Sequence, residues 1–369
     1  MTYDDPSAFR IDDGWKVEIL HDGKSISRLW IVDRRMRIGA ASVLIGGIAG
    51  VGTDGEHRKR GLALRVLHRS LQLMQDEGYD ASFLFGIENF YHGVGFATCM
   101  PEHGFSIDIR AAETVRSSLR TRPMKATDLR AIGKIYERHN QLRTASVVRP
   151  RSWLGFPMGS GFDVPAAVQV VHAPCAQSRV LGYVLYDDVS DRCRVAEVGG
   201  TGDDVNGAIV GFLAQRAVKL RRERVSASVP ADHPFAIYCR RIGYRDETRY
   251  PRNAGPMGRA VDITRFFMAL APELARRWPA NALEQLSIRS DNGTVTLLRR
   301  RGVITVREGS SGRPLRVSDA ALLMQLAMGY RDADDAIGAG TLSGNRAQLE
   351  LARALFPLQV AHMSWPDRF

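Results

Sequence analysis

The sequence predicts an α/β (α+β) chain in which two mixed-sheet domains follow one another and a smaller α+β domain closes the chain. Three observations predict it. Between Arg37 and Thr98 the residues run strand, glycine-containing turn, amphipathic helix, strand. The same order and lengths recur between residues 120 and 255, as expected of a diverged internal duplicate. The breaker-rich stretch Pro251-RNAGPMG then introduces a segment with its own helices and hairpin. At about 150 residues per domain, 369 residues suit two or three domains, and the pattern puts them at 1–115, 120–255 and 258–369.

The first segment opens as a sheet. Residues 15–32 alternate loosely between apolar and polar, and Asp22-Gly23 between two β-rich runs predicts a hairpin. In residues 37–53, β-branched side chains flank Gly46-Gly47, which predicts a second hairpin turning there. From Leu62 to Glu77 the period changes: Ala63, Val66, Leu67, Leu71 and Met74 share one helical face, and Gly78 supplies the stop. Residues 81–86 are a short apolar run suited to a buried strand, followed by a polar turn at Glu88-Asn89 and then Phe90-YHGVGF.

In the second segment Thr127 and Asp128 are helix-start candidates before LRAIGKIYERHNQL. Strand-like VQVVHA, VLGYVLYD and CRVAEVGG lead to a helix AIVGFLAQRAVKLRRE, a strand VSASVP and then HPFAIYCRRIGY, an echo of FYHGVGF. The third segment offers a helix from Ile263 that Pro279 ends, a hairpin at Asp291-Asn292-Gly293, a helix with Ser318 as its N-cap, and a last helix NRAQLELARALF.

Composition removes several function classes. A chain that is 44% hydrophobic and 25% charged is neither collagen, coiled coil nor disordered. Subtracting 40 Asp+Glu from 51 Lys+Arg leaves +11, which suits a polyanionic partner such as nucleic acid, acidic lipid or a phosphate-rich cofactor. Cys99, Cys175, Cys193 and Cys239 form no CxxC, so neither a zinc site nor a disulfide framework is encoded, and a reducing cytoplasm is the default expectation. The acidic start MTYDDPSAFRIDD is unlike a signal peptide, and the uncharged run Ile38 to Thr53 is glycine-rich and shorter than the roughly 20 residues of a membrane span. No membrane partner is therefore expected. His57, His68, His92 and His103 have no metal-ligand spacing, so no metal is expected. The basic stretch Arg216 to Arg224 lacks the interleaved aromatics of a nucleic-acid surface.

The sharpest chemical signal is Val51-GTDGEHRKRGLAL. A strand ends, a polar loop follows, and a helix begins at Gly61 with free backbone amides and the positive end of its dipole facing the loop. Arg58 and Arg60 add fixed charge, and Gly61 allows a phosphate close to the backbone. Standing alone, such a loop reads first as a basic turn on a solvated surface.

Arg58-Lys59-Arg60-Gly61-Leu62-Ala63 nevertheless fits the R/Q-x-x-G-x-G/A pyrophosphate loop of the GNAT acetyltransferases, and Tyr91-HGVGF fits the Y-x-x-x-G-F/Y turn that follows it in them. Over nearly its whole length the chain resembles the aminoglycoside acetyltransferases of the Eis (enhanced intracellular survival) type. The resemblance implies two GNAT-type mixed-sheet domains in tandem, the second degenerate, plus a C-terminal sterol-carrier-like α+β domain. It implies acetyl-CoA as acyl donor, held by Val51, Thr53, Arg58, Lys59, Arg60, Gly61, Leu62 and Ala63. It also implies Tyr91 as catalytic acid and the free carboxylate of the final Phe369 as base. The expected activity is direct acetyl transfer, in a ternary complex, to a primary amine of an aminoglycoside-like, polyamine-like or lysine acceptor, within a homo-oligomer that is hexameric by resemblance.

The chemistry is consistent with those roles. Attack on a thioester needs a neutral amine, so a carboxylate that takes its proton helps, while a phenol can protonate the departing thiolate. Backbone amides near Val51 and Thr53 can hold the thioester oxygen as charge develops on it. An acyl-cysteine route through Cys99 is the weaker expectation, and His92 beside Tyr91 could tune proton transfer.

Two departures from the family pattern stand out. Where the second segment should carry a phosphate loop it reads Gly199-GTGDDVNG, and Asp203 and Asp204 would repel pyrophosphate, so no CoA is expected there and Tyr238 should be structural. Residues 1–14 cannot supply the strand and two helices that usually precede the first hairpin. An open acceptor pocket, a different start codon or closure by the other domains would each account for that. The alternative function is a non-catalytic carrier of lipid or another apolar ligand in the C-terminal domain; a basic nucleic-acid binder comes third.

Overall fold

A computed structural model describes residues 3–150, 166–175, 179–187 and 193–369. The chain is mixed α/β with three sheets and divides into two compact units, one of Met1–Met100, Pro251–Ala361 and Phe369, the other of Pro101–Tyr250 and His362–Arg368.

The first unit begins with strands Ser7–Ile11 (β1), Gly14–His21 (β2), Lys24–Ile38 (β3) and Ala41–Thr53 (β4). Helix Leu62–Asp76 (α1), strand Ala81–Gly86 (β5) and the short strand Ala97–Thr98 (β6) follow. Asp22 and Gly23 take φ of 50° and 74°, the left-handed pair of a tight hairpin turn. The second turn falls at Gly39-Ala40 and not at Gly46-Gly47, so β4 runs unbroken through the glycine pair. Both glycines answer to close approach instead. A Cβ on Gly46 would meet the Met74 sulfur at 2.8 Å, and one on Gly47 would meet the Phe369 ring at 2.6 Å. The apolar face of α1, with Val66, Leu67 and Met74, packs over Ile31, Ile48 and Leu84.

The second unit carries Glu102–Asp108 (β7), Ile109–Ala112 (α2), Arg120–Pro123 (β8), Leu129–Asn140 (α3), Ala166–His172 (β9) and Val180–Asp187 (β10). Arg194–Gly200 (β11), Asp203–Lys219 (α4), Arg224–Ala227 (β12), Pro234–Cys239 (α5) and Arg245–Arg249 (β13) complete it. Its sheet runs β13-β7-β12-β11-β10-β9-β8, with β11 and β12 parallel. The order β11, α4, β12 repeats β4, α1, β5. Helix α4 starts ahead of its apolar run because two acids occupy its first turn, where they favour the dipole. The Asp204 carboxylate also accepts the Ser118 amide at 3.0 Å.

Strand Gly255–Ala260 (β14) completes the first sheet, which runs β1-β2-β3-β4-β5-β14-β6. The breaker-rich stretch after Pro251 therefore ends as a strand, and its glycines admit close neighbours: a Cβ on Gly258 would lie 2.6 Å from the Phe83 ring. Helix Ile263–Arg277 (α6) precedes Gln285–Ser290 (β15), Gly293–Arg300 (β16), Val303–Glu308 (β17), Leu315–Val317 (β18) and Ala320–Met328 (α7). Ala333–Gly338 (α8), Leu342–Ser343 (β19) and Arg346–Leu355 (α9) end the series, and the third sheet runs β17-β16-β15-β18-β19. The cap of α7 is Asp319, which accepts the Leu322 amide at 2.7 Å, while Ser318 donates to Asp319 instead of capping the helix itself. Among the described residues no helix is long and apolar enough to cross a membrane.

Candidate active site

In the first sheet β4 and β5 pair in parallel only from Ile45↔Ala81 to Ile48↔Leu84, and beyond that the two strands part. On the β4 side the ladder with β3 jumps from Trp30↔Ala49 to Arg28↔Gly52, so Gly50 and Val51 together oppose Leu29. Gly50 makes this bulge possible: its φ is 57°, and a Cβ there would lie 2.6 Å from the Trp30 indole. Val51 thus sits where the backbone leaves regular pairing. Thr53 ends the strand, its Oγ1 2.8 Å from Ser27 Oγ and its carbonyl accepting Arg58 Nε at 3.1 Å.

From Thr53 the chain makes one tight turn at Gly55–His57 and enters α1. Lys59 and Gly61 both take left-handed φ, 60° and 74°. Gly61 stands at the N-cap, where no side chain caps the helix, and a Cβ there would meet nothing within 4 Å. The first-turn amides, including those of Leu62 and Ala63, are thus left without a side-chain cap at the positive end of α1, the geometry that binds anions. Arg58, Lys59 and Arg60 are exposed around this end. Arg58 is steadied by the Thr53 carbonyl, and Arg60 donates to Tyr3 Oη at 2.7 Å with its guanidinium 5.9 Å from the Tyr3 ring. This arrangement can hold a pyrophosphate.

On the β5 side two aromatics approach from opposite faces of the strand. Tyr91 opens a 3-10 turn and is 8% exposed, its ring edge-on to Phe90 at 4.8 Å and to Phe96 at 6.3 Å. It lies so close to Gly86 that a Cβ there would be 2.7 Å from Tyr91 Cδ2. Burial raises the Tyr91 hydroxyl above the ordinary tyrosine value, so it remains a protonated donor in neutral solution. The ring of Phe369 lies against Phe85 at 5.8 Å and over Gly47. Tyr91 and Phe369 therefore approach consecutive residues of β5, at the point where it separates from β4.

Gly47, Phe85 and Gly86 are site residues that sequence reasoning missed. The signal was a glycine pair inside a β pattern, which marks close backbone approach as readily as a turn. His92, next to Tyr91, is exposed. Cys99 is wholly buried, and desolvation pushes its thiol far up, which removes the thiolate an acyl-cysteine route would need.

The second sheet has a corresponding opening. β11 and β12 pair only at Arg194↔Ser226 and Val195↔Ala227 before parting. The terminal segment fills that space. Trp365 packs on Leu185 and Ala196, and Asp367 is buried against Arg149, 2.8 Å from its Nε. Arg149 also pairs with Glu197 at 2.5 Å, and the Tyr136 hydroxyl lies 2.8 Å from the Asp367 carboxylate. What remains there is a void of about 20 Å³, room for one water molecule. At the start of α4, Arg241 pairs with Asp203, and Tyr238 packs on Gly207. Among the described residues no group of His, Cys, Asp or Glu side chains is placed to hold a metal ion.

Residues 7–99 match the acetyltransferase (GNAT) domain family. In fold the chain is similar to a GCN5-related N-acetyltransferase from Anabaena variabilis, at 17% identity and a TM-score of 0.76 over 96% of this chain and 89% of that one. It is similar to a probable N-acyltransferase from Enterococcus faecalis, at 15% identity and a TM-score of 0.75 over 97% and 89%. Eis1 from Mycobacterium abscessus gives 20% identity and a TM-score of 0.63 over 96% and 91%. No curated protein shows significant sequence similarity to the chain.

Proposed function

We propose that this chain, which carries a GNAT acetyltransferase domain in residues 7–99, transfers the acetyl group of acetyl-CoA directly to a primary amine. The single observation that carries the proposal is the opening between β4 and β5, with an uncapped left-handed Gly61 on one side and Tyr91 and Phe369 on the other. Acetyl-CoA would supply the activated acyl group. Its pyrophosphate suits Arg58, Lys59, Arg60 and Gly61 with the first amides of α1 at Leu62 and Ala63. The backbone at Val51 and Thr53 suits the pantetheine and the thioester oxygen, because the bulge frees polar groups of β4 from the ladder.

Phe369 places a carboxylate near the end of β5 and accepts the proton of the incoming amine, while its ring is held by Gly47 and Phe85. Tyr91 gives its phenolic proton to the departing thiolate. One C–N bond forms and one C–S bond breaks; the Phe369 carboxylate gains the amine's proton, the thiolate gains that of Tyr91, and the resulting phenolate takes a proton back, by way of solvent, as Phe369 gives one up before the next turnover. Nothing in the chain need become covalently attached.

The second sheet is read as scaffold. Its opening holds the terminal segment, and its helix begins with Asp203 and Asp204 where a phosphate site needs cations. The acceptor is an aminoglycoside-like, polyamine-like or lysine amine, and the third sheet with its helices is a sterol-carrier-like module by resemblance.

The test is thiol release from acetyl-CoA against a panel of polyamines, aminoglycosides and lysine peptides. The native chain, Tyr91→Phe and a version extended beyond Phe369 are compared. Turnover by the native chain with at least about a tenfold loss in both variants, roughly 1.4 kcal/mol of barrier, supports the reading. Failure to bind acetyl-CoA at all overturns it.

A further inference from the structure

The second unit holds an open cleft of about 620 Å³, beside its filled strand opening and well inside the size range of ligand pockets. Its floor is one face of the sheet, where Gly104 and Ser106 of β7 lie beside Ser226 of β12. Small residues at these positions leave a trough where larger ones would fill the face. The rim is made by β13. Arg245, Glu247 and Arg249 alternate along that strand and so share a face, and all three line the cleft.

The opposite wall is made of two more arginines gathered on one indole. The guanidiniums of Arg368 and Arg194 lie 4.5 and 5.1 Å from the Trp365 ring. Four arginines thus face two carboxylates, Glu247 and Glu102, and Glu102 already lies 3.7 Å from Arg249. Burial pulls Arg368 down to about 10, and attraction to Glu102 offsets this only in part, so a further negative charge in the cleft would be stabilising.

We propose that this cleft binds a small molecule through a phosphate or pyrophosphate group. The excess of two positive charges matches the charge of a phosphate monoester, about −1.5 to −2 near neutral pH. Guanidinium forks offer the paired donors that phosphate oxygens take. The site is independent of the loop at α1 and does not rest on the reaction proposed above.

The experiment is calorimetric titration of inorganic pyrophosphate into the full chain carrying Arg58→Ala and Arg60→Ala, so that the loop at α1 contributes little. One saturable event is expected. Its Kd should rise at least about tenfold when Arg245→Ala and Arg249→Ala are added, and fall with Glu247→Gln. All three side chains are exposed on the edge strand, so unchanged melting is the control for folding. The proposal is overturned if pyrophosphate does not bind saturably, or if neither set of substitutions moves the Kd. Citrate binding as tightly as pyrophosphate would also overturn it, since the cleft would then be reading carboxylate charge and not phosphate.

Discussion

The ring of Phe369 meets Phe85 edge-on, with centroids 5.8 Å apart, and lies over a glycine of the neighbouring strand. That contact ties Phe369 to the point where β4 and β5 separate. Gly47 has an ordinary strand conformation, so the space taken by Phe369 is what keeps a side chain out. Gly47→Ala should therefore displace the terminal ring, since its Cβ would stand 2.6 Å from it. The expected outcome is at least about a tenfold fall in kcat, roughly 1.4 kcal/mol, with little change in acetyl-CoA affinity. Steady-state kinetics beside a CoA titration check this, and full activity in the alanine variant would remove Phe369 from the mechanism.

At the loop the prediction separates backbone from charge. Gly61 needs its left-handed φ of 74°, so Gly61→Ala should cost about 1–2 kcal/mol locally and turn the first amides of α1 away from their common direction. Arg60→Ala leaves the backbone alone and removes one cation, worth about 1.5–3 kcal/mol if it bonds a phosphate directly. Both should weaken CoA binding about tenfold or more. Only the native loop and the Gly61 variant should keep the full salt dependence of binding, because only they keep every charge. Titrations at two ionic strengths decide.

The parts legible in the sequence were those fixed by local rules. The 3.6-residue spacing from Ala63 to Met74 located α1, and Asp22-Gly23 located the first hairpin, because each depends on residues adjacent in the chain. Gly46-Gly47 was misread as a turn for the same reason: what requires these glycines is Met74 and Phe369, and no local pattern announces partners that lie outside the strand. Residues 102–108 and 255–260 pose a similar problem. The first lies in the stretch assigned to the first domain and the second begins in the breaker-rich stretch, yet β7 pairs with β12 and β13, while β14 pairs with β5. Strand pairing across the chain is a tertiary choice that alternation alone does not encode. The loop from Arg58 to Ala63 was readable because its parts, a strand end, a glycine and a helix start, are contiguous.

The second unit should be sensitive to acid. His233 is half-buried with its Nδ1 accepting the Phe235 amide at 3.2 Å, and desolvation together with His139 and Arg143 holds it down to about 3. His139 and His362 are also lowered, chiefly by burial. A histidine depressed in the folded state contributes stability above its unfolded value, near 6.5, and loses it as the pH falls from there toward the folded value. Each such group can remove up to about 1.4 kcal/mol per pH unit in that window. The urea midpoint should therefore drop between pH 7.5 and pH 5.5. His233→Gln should shrink the drop even where it lowers stability at both pH values, and an unchanged drop would mean that another group sets the acid limb.

Tyr91 gives the opposite limb. Its hydroxyl is raised by burial, and an acid catalyst must be protonated to act, so activity should persist through mildly alkaline pH and fall only above the usual tyrosine value near 10. Were the phenol required as its anion, the same shift would make activity rise over that range. Tyr91→Phe keeps the ring contacts with Phe90 and Phe96 and removes only the proton donor. It should lower kcat by about 10²–10⁴-fold, the usual worth of general acid catalysis, while the KM for acetyl-CoA stays close to native. The loss should also shrink with an acyl donor whose leaving thiol is more acidic, because such a thiolate departs without needing a proton. A phenylalanine variant equally impaired on both donors would make Tyr91 a packing residue of the turn and leave the departing thiolate to solvent.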